Sequence, residues 1–297
     1  MIAALETDLL WGLGLMTWLT TWLFVKTLQW SQHCEVRTRN LAALLTAATL
    51  VVYVQCGYQS NWMLMLIPLS NVIVLGNWLP LFCSAIAGIS AGDLTRPRWL
   101  RASLAATVLG IGGYSLLHPL MGESPVHRTT TRGWVHMQST DVSCAPAAAA
   151  TLLAWHDLPA TEKELADLSL TRPHGTLWSG TYRGLKQKTA NTPLKVEVLN
   201  GTVDDLRRMG GPFLLHVGLK DSKTAPARYT DREGWIPGRA HAVVLVRFDG
   251  PDRVLVVEPC VGKQWWSVED LQWLWHGQAM RLVPRQTAEA SAKVATR

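Results

Sequence analysis

Among the five cysteines and nine histidines of this 297-residue chain, Cys144 and His241 stand where nucleophilic chemistry needs them. Cys144 begins an Ala/Leu-rich run with helical propensity that closes near His156. A thiol at a helix N-terminus lies where backbone N–H groups and the positive end of the dipole favour the thiolate, lowering a pKa that is ~8.5 in free cysteine. His241 begins an apolar, β-rich run, and Glu258 closes the next one, just before Pro259. The intervening FDGPD segment reads as a tight hairpin connection, so the far ends of the two strands lie side by side. A carboxylate there fixes the imidazole tautomer and steadies the imidazolium. The set is then nucleophile, base and orienting acid: Cys144, His241 and Glu258. Gln138, six residues ahead of the cysteine, has an amide able to donate to a developing oxyanion, with the Cys144 N–H as second donor. Singly, each is an ordinary residue: a small buried Cys, an edge His, a solvated Glu. Their joint order on a helix followed by a sheet is what suggests chemistry.

The elements that must position them are legible around the set. Thr161 and Glu164 form a capping box opening a short helix, a further helix follows Ser179 and Gly180, and another follows Gly201, with Thr202 and Asp205 spaced as cap and partner. Beyond residue 212 the pattern becomes short β-rich runs at 212–219, 241–248, 253–259 and 278–283, bounded by Gly, Pro, Asp and Asn. Helices followed by an antiparallel sheet make an α+β domain. Residues 220–240 are a longer connection than a compact domain requires, as lids and substrate-binding loops are. Asp249 and Asp252, in the hairpin, read as solvated turn residues. Cys260, two residues after Glu258, is expected on the same face of an extended strand, close enough to approach Cys144, as an unpaired thiol or a disulfide partner. The remaining Cys and His residues lack the spacing of a metal site, so neither metal nor cofactor is expected.

With these residues in view, the stretch from about 134 to 283 resembles the papain-like leader peptidases that form the N-terminal domain of bacteriocin-exporting ABC transporters and cleave after a double glycine. The resemblance is carried by Gln138 six residues before Cys144, by Cys-Ala-Pro-Ala-Ala opening the helix, by His241 followed by Ala-Val-Val-Leu-Val, by Glu258 and Pro259, and by an aromatic closing segment at 267–283. It implies a papain-like cysteine peptidase fold in which Cys144 is the nucleophile, His241 the general base and Gln138 part of the oxyanion hole. It implies a peptide or protein substrate with small residues, Gly-Gly in particular, and a separate transporter as partner. Two positions depart from the family: Ser143 stands where Asp or Asn is usual, and Glu258 where Asp is usual. No phosphate-binding loop of the G-x-x-x-x-G-K-[ST] type occurs, so no fused ATPase is expected.

The first 120 residues have another character. They carry six Lys or Arg and four Asp or Glu, of the chain's 28 and 22. The chain is uncharged between residues 8 and 26, and free of Asp, Glu, Lys and Arg from residue 40 to residue 92, a run of 53 residues. Crossings of ~20 residues fit at 8–26, at 41–54, within 62–92 and at 102–122. The stretch 62–92 contains Pro68, Gly76, Asn77 and Pro80, and reads as a broken helix, a helix with a re-entrant piece, or two short crossings. About four crossings and a lipid bilayer partner follow, with an uncleaved first segment because acidic residues precede it and no small-x-small site closes it. Lys26, Arg37 and Arg39 lie in one connection, and Arg96, Arg98 and Arg101 in another. Both are therefore expected in the cytoplasm, which puts the soluble domain on the extracytoplasmic side of the cell inner membrane. The expected organisation is a multi-helix transmembrane region at 1–120, a peptidase domain at 121–285 and a frayed tail at 286–297. The net charge of +6 is spread without basic blocks, so nucleic acid is not an expected partner. Two other readings share the same residues: a degenerate domain that binds peptide without cutting it, and a thiol acyltransferase or amidase.

Overall fold

The computed structural model describes residues 7–219, 226–231 and 235–285. The 286–297 tail and much of the 220–240 loop lie outside the described residues. Two compact units, 1–123 and 124–297, are described in turn.

In the first unit, α1 (Thr7–His33) is followed by α2 (Val36–Val52), which continues through a π-helical turn to Gly57. The long uncharged stretch is a broken helix: α3 (Asn61–Leu66), α4 (Val72–Leu75) and α5 (Leu79–Ala91). It breaks at Pro68, which has no N–H to donate and biases the preceding Ile67 away from helix, and again at Gly76 and Asn77. At the second break, backbone groups are met by side chains of the unit. The Tyr53 hydroxyl donates to the Gly76 carbonyl (2.7 Å) and accepts from the Trp78 N–H (3.0 Å), and the Asn77 amide donates to the Ser115 carbonyl (2.8 Å). Such pairing is what permits irregular backbone away from water. The unit closes with α6 (Arg98–Leu117), which starts four residues earlier than hydropathy suggests, at Pro97 rather than at the last cation. Four helical stretches, 7–33, 36–57, 72–91 and 98–120, are long and apolar enough to cross a membrane by length and composition. The cations expected in two connections lie largely within helices, Lys26 in α1, Arg37 and Arg39 in α2, and Arg98 and Arg101 in α6. Arg39 and Arg96 both pair with Asp93, at 2.6 and 3.0 Å, so the start of α2 meets the α5–α6 connection.

The second unit has the expected α+β class. A small hairpin, β1 (Thr130–Arg132) and β2 (Val135–Met137), precedes α7 (Cys144–Trp155), α8 (Glu162–Leu168) and α9 (Trp178–Lys188). There follow β3 (Leu194–Asn200), α10 (Val203–Met209), β4 (Phe213–Val217), α11 (Arg228–Asp231), β5 (His241–Asp249), β6 (Arg253–Glu258), β7 (Gly262–Ser267), α12 (Val268–Leu274) and β8 (Trp275–Pro284). The six larger strands form one antiparallel sheet in the order β3-β8-β4-β5-β6-β7. Two of them, β3 and β7, escape a reading based on apolar runs because they are edge strands, half polar by position. The cap at Thr202 is reciprocal, with Asp205 reaching back, whereas Thr161 accepts from the Glu164 N–H without the return bond.

Two packing features set the site. Ala147, Ala148, Ala149 and Ala150 of α7 are fully buried, and side chains this small let the helix lie close against its neighbours, β5 among them. A second core, built from Phe213, Leu215, Val217, Val243, Leu245, Val254 and Val256, packs with Leu206 of α10 and Leu271 and Leu274 of α12. Each such side chain contributes about 1.5–3 kcal/mol when removed from water. At the end of β4, Gly218 lies against the chain that leads into His241: a Cβ there would stand 2.8 Å from the Arg239 carbonyl oxygen. Gly218→Ala is expected to cost about 1–3 kcal/mol by forcing that backbone aside. A lowered thermal midpoint of the full chain in detergent checks it, and an unchanged midpoint contradicts the close approach.

Candidate active site

Register brings the histidine and the carboxylate together. Val217 pairs with His241 across β4 and β5, and Val244 pairs with Val257 across β5 and β6. Continuing that ladder sets Glu258 opposite Val243, diagonal to His241 on the same face, within reach of two long side chains. The His241 Nε2 and Glu258 Oε1 atoms are 2.5 Å apart. Nδ1 is then the ring nitrogen left free of the carboxylate, and Cys144, the first residue of α7, borders the same cleft as His241.

Glu258 is 7% exposed, and its second oxygen is held by the turn that follows: Oε2 accepts from the N–H groups of Cys260 and Val261, both at 2.8 Å. The sequence expectation for Cys260 is corrected here. The strand ends at Glu258 because Pro259 cannot continue the ladder, and Cys260 lies in the β6–β7 turn, its backbone folded back on the carboxylate rather than extended. Its thiol is pushed up to about 12, first by loss of hydration and then by the Glu258 carboxylate and Cys144. Cys144 and Cys260 are both free thiols. Asp249, at the hairpin, pairs with Arg253 at 2.8 Å and is a surface residue, as expected.

Burial would raise the Cys144 thiol, but the hydrogen bond and charge of His241, with the N–H groups of Ala242 and Ala145, outweigh it and hold the pKa below that of free cysteine. Burial would likewise depress His241, yet Cys144 and then Glu258 push it up to about 9. Both directions favour the thiolate–imidazolium pair over the neutral pair. Trp235 sets its ring nearly perpendicular to His241, centroids 5.7 Å apart, and screens the imidazole from one side.

Gln138 is placed by backbone. Its N–H donates to the Pro259 carbonyl (2.9 Å), tying it to the turn that carries Glu258. One amide hydrogen of its side chain is held by the Thr140 carbonyl (2.9 Å), leaving the other for a ligand. Ser143, where the resembling family has Asp or Asn, is fully buried, and its hydroxyl accepts from the Thr140 N–H (3.1 Å) and donates to the Thr140 carbonyl (3.0 Å). The cysteine N–H, at the first position of α7, has no partner within the helix.

All four sequence-derived residues border one cleft of about 280 Å³, with Trp235, Arg239 and Val261 among its walls. A second cleft of about 300 Å³ meets it at Cys144 and His241 and extends past Thr176, Trp178 and His216. Arg239 and Asp141 border both, and the Arg239 guanidinium donates to the Asp141 carbonyl (2.8 Å). Neither these two residues nor the Ala242 N–H is visible in the sequence as part of a site. Two of the contacts run through backbone, which leaves no residue-type signal.

No protein-family model matches the chain, and no curated protein matches it. Among solved structures, a double glycine motif protease from an AMS/PCAT transporter, in complex with its leader peptide, is similar at 16% identity and a TM-score of 0.39 over 53% of this chain and 93% of that one. The peptidase domain of Streptococcus ComA, a bi-functional ABC transporter involved in a quorum sensing pathway, is similar at 20% identity and a TM-score of 0.39, over 50% and 96%. That of Streptococcus mutans ComA gives 20% identity and 0.33, over 50% and 97%.

The pKa directions have a testable sign. A depressed thiol pKa keeps the thiolate present as pH falls, and the raised histidine keeps its proton until pH passes about 9. Alkylation of Cys144 by iodoacetamide, identified by its loss in Cys144→Ala, is expected to be faster at pH 6 than that of a free cysteine thiol. In His241→Ala it is expected to fall about 10-fold or more there. Equal rates in the two proteins would contradict the ion pair.

Proposed function

We propose that the protein is a membrane-anchored cysteine peptidase whose reaction runs through a Cys144 thioester. The observation that supports it best is the pairing of His241 Nε2 with Glu258 at 2.5 Å beside Cys144, where two clefts meet. In the proposed reaction the thiolate attacks a peptide carbonyl lying across the two clefts. The Cys144 N–H and the free Gln138 amide hydrogen receive the oxyanion. The His241 imidazolium hands its proton to the departing amine, leaving an acyl thioester and a neutral imidazole. His241 then deprotonates water, which attacks the thioester and releases the carboxylate product and the thiolate. Glu258 holds the imidazole in the tautomer this needs. A leader peptide cut after small residues such as Gly-Gly is the proposed substrate, with a separate transporter as the proposed partner. The four long apolar helical stretches of the first unit serve as the bilayer anchor, with the peptidase domain on the extracytoplasmic side of the inner membrane.

A non-cutting, peptide-binding domain draws on one feature, the hold of Thr140 on the Gln138 amide. Stoichiometric peptide binding without turnover would favour it.

With a fluorogenic peptide containing Gly-Gly, Cys144→Ala and His241→Ala are expected to lose about 10³-fold or more of kcat/KM. Glu258→Gln is expected to lose less, about 10–100-fold, and to move the alkaline limb of the pH profile below 9, because the carboxylate helps to raise the His241 pKa. Full activity of either alanine variant refutes the assignment. For orientation, a C-terminal reporter active only outside the cytoplasm is expected to be on, and a silent, expressed reporter reverses the topology.

A further inference from the structure

We infer that Glu162 is a positioning residue for the oxyanion side of the site, acting through Ser139 on Gln138; this rests on the peptidase reading. Glu162 is the first residue of α8 and is wholly buried. Its Oε1 accepts from the Ser139 N–H at 2.7 Å and from the Ser139 hydroxyl at 3.0 Å. Its Oε2 is buried with no hydrogen-bond partner, and no cation pairs with the carboxylate among the described residues. Withdrawing a carboxylate from water with half its acceptor capacity unused is costly, and an apolar side chain of similar volume would stabilise the position better. What the carboxylate alone supplies is a grip on the residue immediately after Gln138.

That grip completes a pair. Gln138 is held from the other side by the Pro259 carbonyl, so the dipeptide 138–139 is pinned between the turn that carries Glu258 and the start of α8. Neither anchor belongs to α7, which carries the nucleophile. The amide of Gln138 has a competing partner in the Thr140 carbonyl, two residues along the same loop. A loop left free at Ser139 could turn that amide away from the cleft, whereas a loop fixed there keeps its second hydrogen available. Oxyanion donors act on the tetrahedral species and not on the bound ground state, so Glu162 governs kcat rather than KM.

The test uses the full-length protein in detergent with a Gly-Gly fluorogenic peptide, a peptide aldehyde ending in Gly-Gly that forms a hemithioacetal, and iodoacetamide. Glu162→Asp withdraws the carboxylate by one methylene and is the main variant, since it keeps the charge and spares the fold. It is expected to lower kcat and weaken aldehyde binding in parallel, each about 10–100-fold, with KM and the Cys144 alkylation rate within about threefold of wild type. Glu162→Gln keeps an acceptor oxygen for Ser139 and is expected to retain kcat within about threefold. Wild-type kcat in Glu162→Asp overturns the inference. So does a kcat loss matched by equal loss of alkylation, or one that Glu162→Gln fails to rescue. A wild-type chain without turnover removes the peptidase reading itself, and this inference with it. An active wild type with an indifferent Asp variant removes this inference alone.

Discussion

A carboxylate withdrawn almost completely from water must be met by donors, and Glu258 is met by three: the His241 ring at 2.5 Å and the N–H groups of Cys260 and Val261 at 2.8 Å. Much of the site follows from meeting that demand. The turn after β6 has to fold back sharply, which the Val261 N–H to Glu258 carbonyl bond (3.1 Å) and the positive φ of Gly262 (104°) permit. Because the turn is fixed, its Pro259 carbonyl is fixed too, and it holds Gln138. His241, held by the carboxylate through one ring nitrogen, holds the Cys144 pKa below its ordinary value. One short turn therefore bears on His241, on Cys144 and on the backbone at Gln138.

The two departures from the resembling family find physical accounts in the same terms. Glu258 is a methylene longer than the usual Asp, and the extra reach is accommodated because its second oxygen is held by the turn instead of swinging free. Ser143 lacks a carboxylate or amide, yet its buried hydroxyl both donates to and accepts from the Thr140 backbone, a bracing role that a short polar side chain performs locally.

The first unit obeys the rule that governs Glu258, with apolar helices in place of a sheet. Its uncharged stretch is broken at Pro68 and at Gly76 and Asn77, and at the second break the Tyr53 hydroxyl supplies the missing partners. Close helix approach is obtained by deletion: a Cβ on Gly88 would stand 2.7 Å from the Phe24 carbonyl oxygen and 3.0 Å from the Leu28 nitrogen.

The two-part organisation, the α+β class, the helix that opens at Cys144, and the strands that begin at His241 and end at Glu258 are all legible in the residue order. They arise from local causes, namely apolar periodicity, capping residues and the punctuation of Gly and Pro, and such causes act over a few positions of chain. Edge strands β3 and β7 are not legible, because half-polar strands owe their pairing to neighbours distant in the chain. Nor are the folding back of Cys260, the bridge from Arg239 to Asp141, or the hold of Glu162 on Ser139. These depend on which backbone N–H and carbonyl groups meet once α7, α8 and the β6–β7 turn have packed, and backbone groups are the same at every position. Residue types set which atoms were available for chemistry; only the folded chain decided which of them touch.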